Sequence, residues 1–255
     1  MKKAIIFDID GTAINSPIQK LPTKKLANII HQLKNKFYFC AATGRVWSFA
    51  KPVLKSLHLT DPCIISAGTQ ICDPETGRIL WQKVIEDKSL NQAIEILKRY
   101  PKIKILYNDY KDNDYLYGGI FPKDFQTKER VYFLEQIFVS DKIAPEIREK
   151  LNKIEGITCV MVVAQRPGCK DLHIINKSAT KEHTITKLLK ILKVLKKNSI
   201  GFGDGYNDIH LFNSVNYKIA VGNAVPEVKK MADKVIGPVK NDGMAKYLET
   251  LRVTN

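Results

Sequence analysis

Two carboxylates one residue apart, Asp8 and Asp10, are the first residues of this chain that could do chemistry. They stand in Ile5-Ile6-Phe7-Asp8-Ile9-Asp10-Gly11-Thr12, directly after a short apolar run. Residues i and i+2 of a strand point to the same side. Asp8 and Asp10 are therefore expected to share one small volume as the strand unwinds. Two like charges that close are costly unless a cation sits between them or one carboxyl keeps its proton. The pair predicts a metal ion, a proton donor, or both. A second acidic pair, Asp204 and Asp208, lies far downstream in Gly203-Asp204-Gly205-Tyr206-Asn207-Asp208, where glycines let backbone come close. Between them, Ala42-Thr43-Gly44-Arg45 places a hydroxyl beside a Gly turn, able to donate to a phosphate oxygen. Lys177 precedes a helical pattern, and Lys181 lies at its start. Each piece alone is ordinary, since an Asp-x-Asp commonly ends a strand in an Asx turn and Thr-Gly is a common turn. The glycines make no G-x-G-x-x-G, and neither a P-loop nor H-E-x-x-H occurs.

The elements that must position these residues follow from periodicity. The opening apolar run reads as a buried parallel strand, and Gly11 allows a sharp turn at its carboxyl end, where open α/β sheets carry their chemistry. Pro17 and Pro22 bracket a loop. A helix is expected over 23–34 with Thr23 as N-cap, then a strand over 37–41, a helix over 48–57 and a strand over 63–66. Residues 70–83 read as a small hairpin with its turn at 73–77. From Val84 the pattern changes. Helices are expected over 89–100 and 144–154, and strands over 103–108, 115–120, 132–139, 157–164 and 169–175. The last two are joined by Gln165-Arg166-Pro167-Gly168. This reads as an inserted α+β unit over 84–177, because an alternating pattern then resumes. It runs through a helix over 180–197, strands over 199–202 and 217–221, and a helix over 226–232. In the strand over 169–175, Leu172 and Ile174 should face the unit's own helices. Asp171 and His173 then take the opposite face, toward bound substrate or solvent.

The chain has 255 residues, 44% of them hydrophobic and 26% charged, an ordinary globular balance. Lys2-Lys3 before apolar residues hints at a signal peptide, but Asp8 interrupts the run, and no stretch reaches the ~20 apolar residues of a membrane span. Five cysteines without a C-x-x-C suit reduced thiols and a cytoplasmic location. The net charge is +15. Residues 84–177 hold 16 basic against 14 acidic residues, whereas the flanks hold 25 against 12. A basic excess can attract nucleic acid or anionic substrates. Many of the lysines (Lys187, Lys190, Lys193, Lys196, Lys197) lie off one apolar helix stripe and read as solvated surface.

The opening string resembles the first motif of the haloacid dehalogenase-like (HAD) phosphohydrolases, and the remaining motifs follow in that family's order. The whole resembles a Cof-type, subfamily IIB member. The resemblance implies an α/β fold, a Rossmann-like doubly wound parallel-sheet core (1–83 and 178–255) with an inserted α+β cap domain (84–177). It implies that Asp8 is a nucleophile forming an aspartyl-phosphate and that Asp10 is general acid and base. It implies Mg²⁺ held by Asp8, the carbonyl of Asp10 and Asp204, with Asp208 supporting the metal shell or the lysine. Thr43, Gly44, Lys181 and Asn207 would bind phosphate, with Lys181 favoured over Lys177 by its spacing from the strand. Asp171, His173 and Arg166 become candidates for substrate specificity. Two positions depart from the family: Ala67 stands where that branch often has Asn before Gly, and Glu182 stands where Gly usually follows the lysine. The implied substrate is a small phosphorylated metabolite, a sugar phosphate first. A phosphomutase or phosphotransferase on the same core is the alternative, and a basic nucleic-acid-binding protein a more distant one.

Overall fold

The structure, a computed structural model, describes residues 2–16 and 20–253. Pro17 of the expected loop lies outside the described residues. The chain divides into two compact units, Gln82–Thr180 and the remainder on either side of it.

The first unit is built on β1 (Lys3–Phe7), whose Ala4, Ile5, Ile6 and Phe7 are all fully buried. It continues through α1 (Lys24–Leu33), β2 (Phe37–Ala41), α2 (Trp47–Ser56), β3 (Cys63–Ile65), β4 (Gln70–Cys72) and β5 (Ile79–Gln82). Alternation along β1 makes two cores. Ile5 and Phe7 join Leu26, Ile30, Leu33, Val53 and Leu54 on one face of the sheet. Ala4 and Ile6 join Ile185, Leu188, Leu211 and Phe212 on the other. Burying such an Ile or Phe side chain stabilises by roughly 1.5–3 kcal/mol. Thr23 caps α1 as expected, its Oγ1 accepting Leu26 N–H at 3.2 Å.

The second unit contains α3 (Asp87–Leu97), β6 (Ile105–Tyr107), α4 (Asp112–Leu116), β7 (Phe133–Ser140), α5 (Ala144–Asn152), β8 (Ile157–Val163) and β9 (Cys169–Asn176). Its strands form one antiparallel sheet, ordered β6-β7-β9-β8. Leu134, Leu172 and Ile174 share a core with Leu90, Ile94, Leu97, Ile147 and Leu151 of α3 and α5. The expected orientation of Leu172 and Ile174 toward the unit's helices is the observed one.

The first unit then resumes with α6 (Lys181–Ile191), β10 (Ser199–Gly203), α7 (Ile209–Ser214), β11 (Tyr217–Ala220), α8 (Pro226–Met231), β12 (Lys234–Val235) and α9 (Gly243–Val253). Its main sheet is wholly parallel in the order β12-β11-β10-β1-β2. The strand order reverses beside β1, the place where doubly wound sheets bind ligands.

Two local expectations need correction. Residues 115–120 alternate like a strand, but α4 runs into them and ends at Leu116. Asp114 accepts Lys111 N–H at 2.9 Å, and the chain reverses at Gly118-Gly119, with Gly119 at φ +86°, leaving Ile120 to make a lone bridge to Ile105. The helix expected to reach residue 197 stops at Ile191, where Lys193 turns left-handed at φ 54° and Val194 N–H returns to Leu189 O at 2.9 Å. The strand expected over 63–66 is present as β3, which pairs in an antiparallel sheet with β4 and touches the main sheet through an isolated bridge, Ala42 to Ile64.

Candidate active site

The carboxyl ends of β1, β2 and β10 deliver the acids and the hydroxyl to one place. Asp8 ends β1, its N–H bonded to Phe202 O at 3.1 Å across the ladder to β10. Gly11 holds φ +83°, and a Cβ there would fall 2.1 Å from Asp204 Oδ2, so only glycine fits between the two acidic segments. Thr12, adjacent, donates from Oγ1 to Asp204 Oδ1 at 2.7 Å. Asn223, after β11, donates to Gly11 O at 2.8 Å and accepts Val239 N–H at 2.8 Å, tying the turn to the chain's last segment.

Lys181 is the cation at the centre. It starts α6 with 5% exposure, and its Nζ lies 2.7 Å from Asp8 Oδ1 and 2.8 Å from Asp208 Oδ1. Burial alone would lower its pKa, but Asp208 and Asp8 outweigh burial and raise it, so it carries a full charge. Lys177 is exposed, outside this cluster. Asp208 spends its other oxygen on the backbone N–H groups of Asp204 (2.9 Å) and Gly205 (3.1 Å).

Asp10 goes another way. The sequence argument expected Asp8 and Asp10 to share one volume, yet the Asp10 side chain keeps 39% exposure against 6% for Asp8. Arg45 grips it in a two-pronged pair, Nε to Oδ2 at 2.8 Å and Nη2 to Oδ1 at 2.6 Å. Four carboxylates thus meet two side-chain cations, and the charge left over is that of a divalent cation's counter-ions. It rests on the acids least served. Asp8 is raised well above the usual carboxylate range by burial first and then by Asp208. Asp204 is pushed up to about 7, again by burial and then Asp208. Asp8, Asp204 and Asp208 each bring an oxygen within 4.8 Å of the others. An all-oxygen donor set with uncompensated charge fits Mg²⁺.

Thr43 is fully buried at the end of β2, its Oγ1 accepting Arg45 N–H at 3.1 Å, which leaves the hydroxyl hydrogen for another acceptor. Gly44 and Asn207 are half-buried beside it and beside Asp208 in sequence. Next in space, Ala67 donates to Thr43 O at 3.2 Å while held at φ 57°.

The specificity candidates lie in the second unit. Asp171 and His173 share the sheet face opposite the helices, and neither is solvated, at 3% and 7% exposure. Asp171 accepts Tyr115 O–H at 2.6 Å and Phe138 N–H at 2.7 Å, and its pKa rises to about 6 through burial and then Glu135. His173 Nε2 is 3.0 Å from Glu135, which also accepts Tyr110 O–H. Arg166 stacks 4.5 Å over the Phe138 ring.

Sequence reasoning missed Arg45, Thr12 and Asn223 as parts of the site. Arg45 was visible only as a cation two residues beyond Thr43, and nothing in the spacing pointed it at Asp10. Asn223 stood in Gly222-Asn223-Ala224, a stretch that also resembles the family, but nothing in the sequence pointed it at Gly11.

Comparison with known proteins gives the family. The family model for haloacid dehalogenase-like hydrolases matches residues 5–163 and 120–248. A phosphoglycolate phosphatase of Sulfurisphaera tokodaii is 24% identical, over 97% of this chain and 93% of its own. A 5-amino-6-(5-phospho-D-ribitylamino)uracil phosphatase of Bacillus subtilis is 25% identical, over 96% and 94%. The crystal structure of a HAD subclass IIB sugar phosphatase superposes with TM-score 0.76 at 19% identity, covering 98% of this chain and 99% of that one. Parallel sheet, acidic cluster and buried lysine therefore have one explanation: the chain belongs to the haloacid dehalogenase-like hydrolases, on their Cof-type branch, and is a phosphatase.

Proposed function

We propose that this phosphatase hydrolyses a small sugar or polyol phosphate through an aspartyl-phosphate on Asp8, with Mg²⁺ as cofactor. The observation that carries this reading is Lys181 Nζ, buried between Asp8 and Asp208 beside Asp204. A phosphate monoester resists attack by an anion, and that arrangement lowers the resistance. Asp8, the carbonyl of Asp10 and Asp204 would hold Mg²⁺, which when bound neutralises charge on nucleophile and phosphoryl group. Asp208 has both oxygens committed, so we assign it to holding Lys181.

Asp8 then attacks phosphorus in line, and Asp10 donates its proton to the leaving oxygen as the P–O bond breaks. Water attacks the aspartyl-phosphate in the second half, its proton passing to Asp10 while the electron pair of the broken bond returns to Asp8. Thr43 Oγ1–H, the Gly44 backbone, Asn207 and Lys181 hold the transferring oxygens, where phosphoryl-transfer catalysis mostly resides. The relative acting on a ribityl phosphate and the sugar-phosphatase neighbour support the substrate class. We assign the ranking of substrates to the second unit, with Asp171, His173 and Arg166 at the face that carries its polar groups. The test is phosphate release from a panel of phosphorylated metabolites with Mg²⁺ and with EDTA. Asp8→Asn should abolish turnover, and fluoroberyllate should bind wild type only. Full activity in EDTA, or in Asp8→Asn, would sink the reading.

A further inference from the structure

We propose that Arg45 is the residue that positions Asp10 for both of its proton transfers. This rests on the aspartyl-phosphate reading above and adds a residue to it. Asp10 sits in a tight turn, where Thr12, Ala13 and Ile14 all donate backbone N–H groups to Ile9 O. A half-exposed carboxylate on such a turn would sample several rotamers. Arg45 removes that freedom, because a planar guanidinium binding both oxygens fixes the carboxylate plane as well as its position.

Arg45 is itself held at three other points. Its Nη1 donates to Phe49 O at 3.3 Å, its N–H to Thr43 Oγ1 at 3.1 Å, and its carbonyl accepts Ser66 N–H at 2.7 Å. The same residue thus sets Thr43, a proposed phosphoryl-binding group, and Asp10, the proposed proton carrier. That couples the place where phosphorus sits to the place where the proton leaves. A Lys at 45 could supply charge but only one point of contact. In the first half-reaction the proton on one Asp10 oxygen goes to the ester oxygen, which takes the electron pair of the broken P–O bond. The other Asp10 oxygen can keep its bond to Arg45 while this happens. In the second half the water's proton returns to the same oxygen.

The experiment compares wild type, Arg45→Gln and Arg45→Lys on p-nitrophenyl phosphate and on an alkyl phosphate, by quench-flow and steady state, together with Asp10→Asn and the double variant. p-Nitrophenolate leaves without help from an acid, whereas an alkoxide does not. Both Arg45 variants should release the first equivalent of p-nitrophenolate within about threefold of the wild-type rate, then slow by about a hundredfold as Asp10 fails to activate water, giving a stoichiometric burst. On the alkyl ester the first turnover itself should fall about a hundredfold with KM changed far less. Adding Arg45→Gln to Asp10→Asn should cost less than about twofold more, because Arg45 acts through Asp10. Equal loss in both phases on both esters, or additive loss in the double variant, would overturn the proposal. If Arg45→Gln does not fold, as judged by circular dichroism, Arg45→Lys decides the same comparison. A wild-type enzyme that forms no phosphoenzyme would instead overturn the parent reading, and this inference with it.

Discussion

Lys181 bridges two carboxylates in a site where burial otherwise isolates charge, so its loss should be the most damaging single change apart from the nucleophile. Lys181→Ala is expected to cost about 3 kcal/mol or more in transition-state stabilisation, the scale of one preorganised donor, whereas exposed Lys177→Ala should leave kcat/KM nearly unchanged. The acids predict a pH dependence with a definite sign. Burial first, and then Asp208, push the Asp204 carboxyl up to about 7 in the folded protein, against an ordinary value of 3.8. The folded state therefore binds the proton more tightly, and the stability this contributes is complete below about pH 4 and lost as pH rises toward 7. In EDTA the melting temperature should fall over that window, and with Mg²⁺ the fall should shrink, because the cation binds the ionised form. A melting temperature flat from pH 4 to 7 in EDTA would count against an Asp204 carboxyl raised by its surroundings. At the rim of the site, Ala67 pays for a left-handed backbone (φ 57°, ψ 19°) that costs an alanine roughly 1–2 kcal/mol. Asn tolerates that region, so Ala67→Asn should raise stability by about 1 kcal/mol in urea titrations without moving Thr43.

The elements were more legible than their contacts. Strands β1, β2 and β10 and helix α1 followed from apolar runs, 3.6-residue periodicity and Thr23, since those signals are local. The sequence order of Asp8, Thr43, Lys181 and Asp204 made a site legible, and the structure brings Asp8, Lys181 and Asp204 together. What stayed hidden depends on partners far along the chain. Arg45 and Asp10 are 35 residues apart, and Asn223 and Gly11 are 212 apart. The false strand over 115–120 failed for a related reason. Its alternation was real, but capping by Asp114 and a reversal at Gly118-Gly119 overrode it. Thr23 offers a test at this scale, because it joins a local role to a distant one. Its Oγ1 accepts from Leu26 N–H and donates to Asp242 Oδ1 at 2.8 Å, pinning the start of α1 to the start of α9. Thr23→Ala should destabilise by about 1–2 kcal/mol, at the upper end for a lost cap, and Thr23→Ser should restore most of it. A urea midpoint unmoved by Thr23→Ala would show that the cap and the tether contribute nothing.

The two units have separate cores, and this governs how the whole chain should unfold. The second unit closes on itself. Asn176 near its end donates to Val84 O near its start at 2.8 Å, and Ile85 N–H bonds Val131 O at 2.7 Å. Its basic and acidic residues nearly balance over 84–177, while the flanks carry the excess. It also holds a flaw. Gln136 is fully buried, and neither its Nε2 nor its Oε1 finds a hydrogen-bond partner in the protein. The register of β7 sets Gln136 opposite Leu172 and Leu134 opposite Ile174, which puts the amide on the apolar, helix-packed face. An unsatisfied buried amide costs roughly 1–3 kcal/mol, so Gln136→Met, of similar length, should stabilise the unit by about that much. Both tryptophans, Trp47 and Trp81, belong to the first unit, so fluorescence reports one unit and circular dichroism reports both. In urea, Gln136→Met should move a dichroism transition to higher denaturant and leave the tryptophan transition in place. Thr23→Ala should do the converse, lowering the tryptophan midpoint and the first unit's share of the dichroism change while leaving the second unit's dichroism transition in place. If Gln136→Met moves the tryptophan transition, or Thr23→Ala moves the second unit's dichroism transition, the units unfold as one and their separate cores do not act separately.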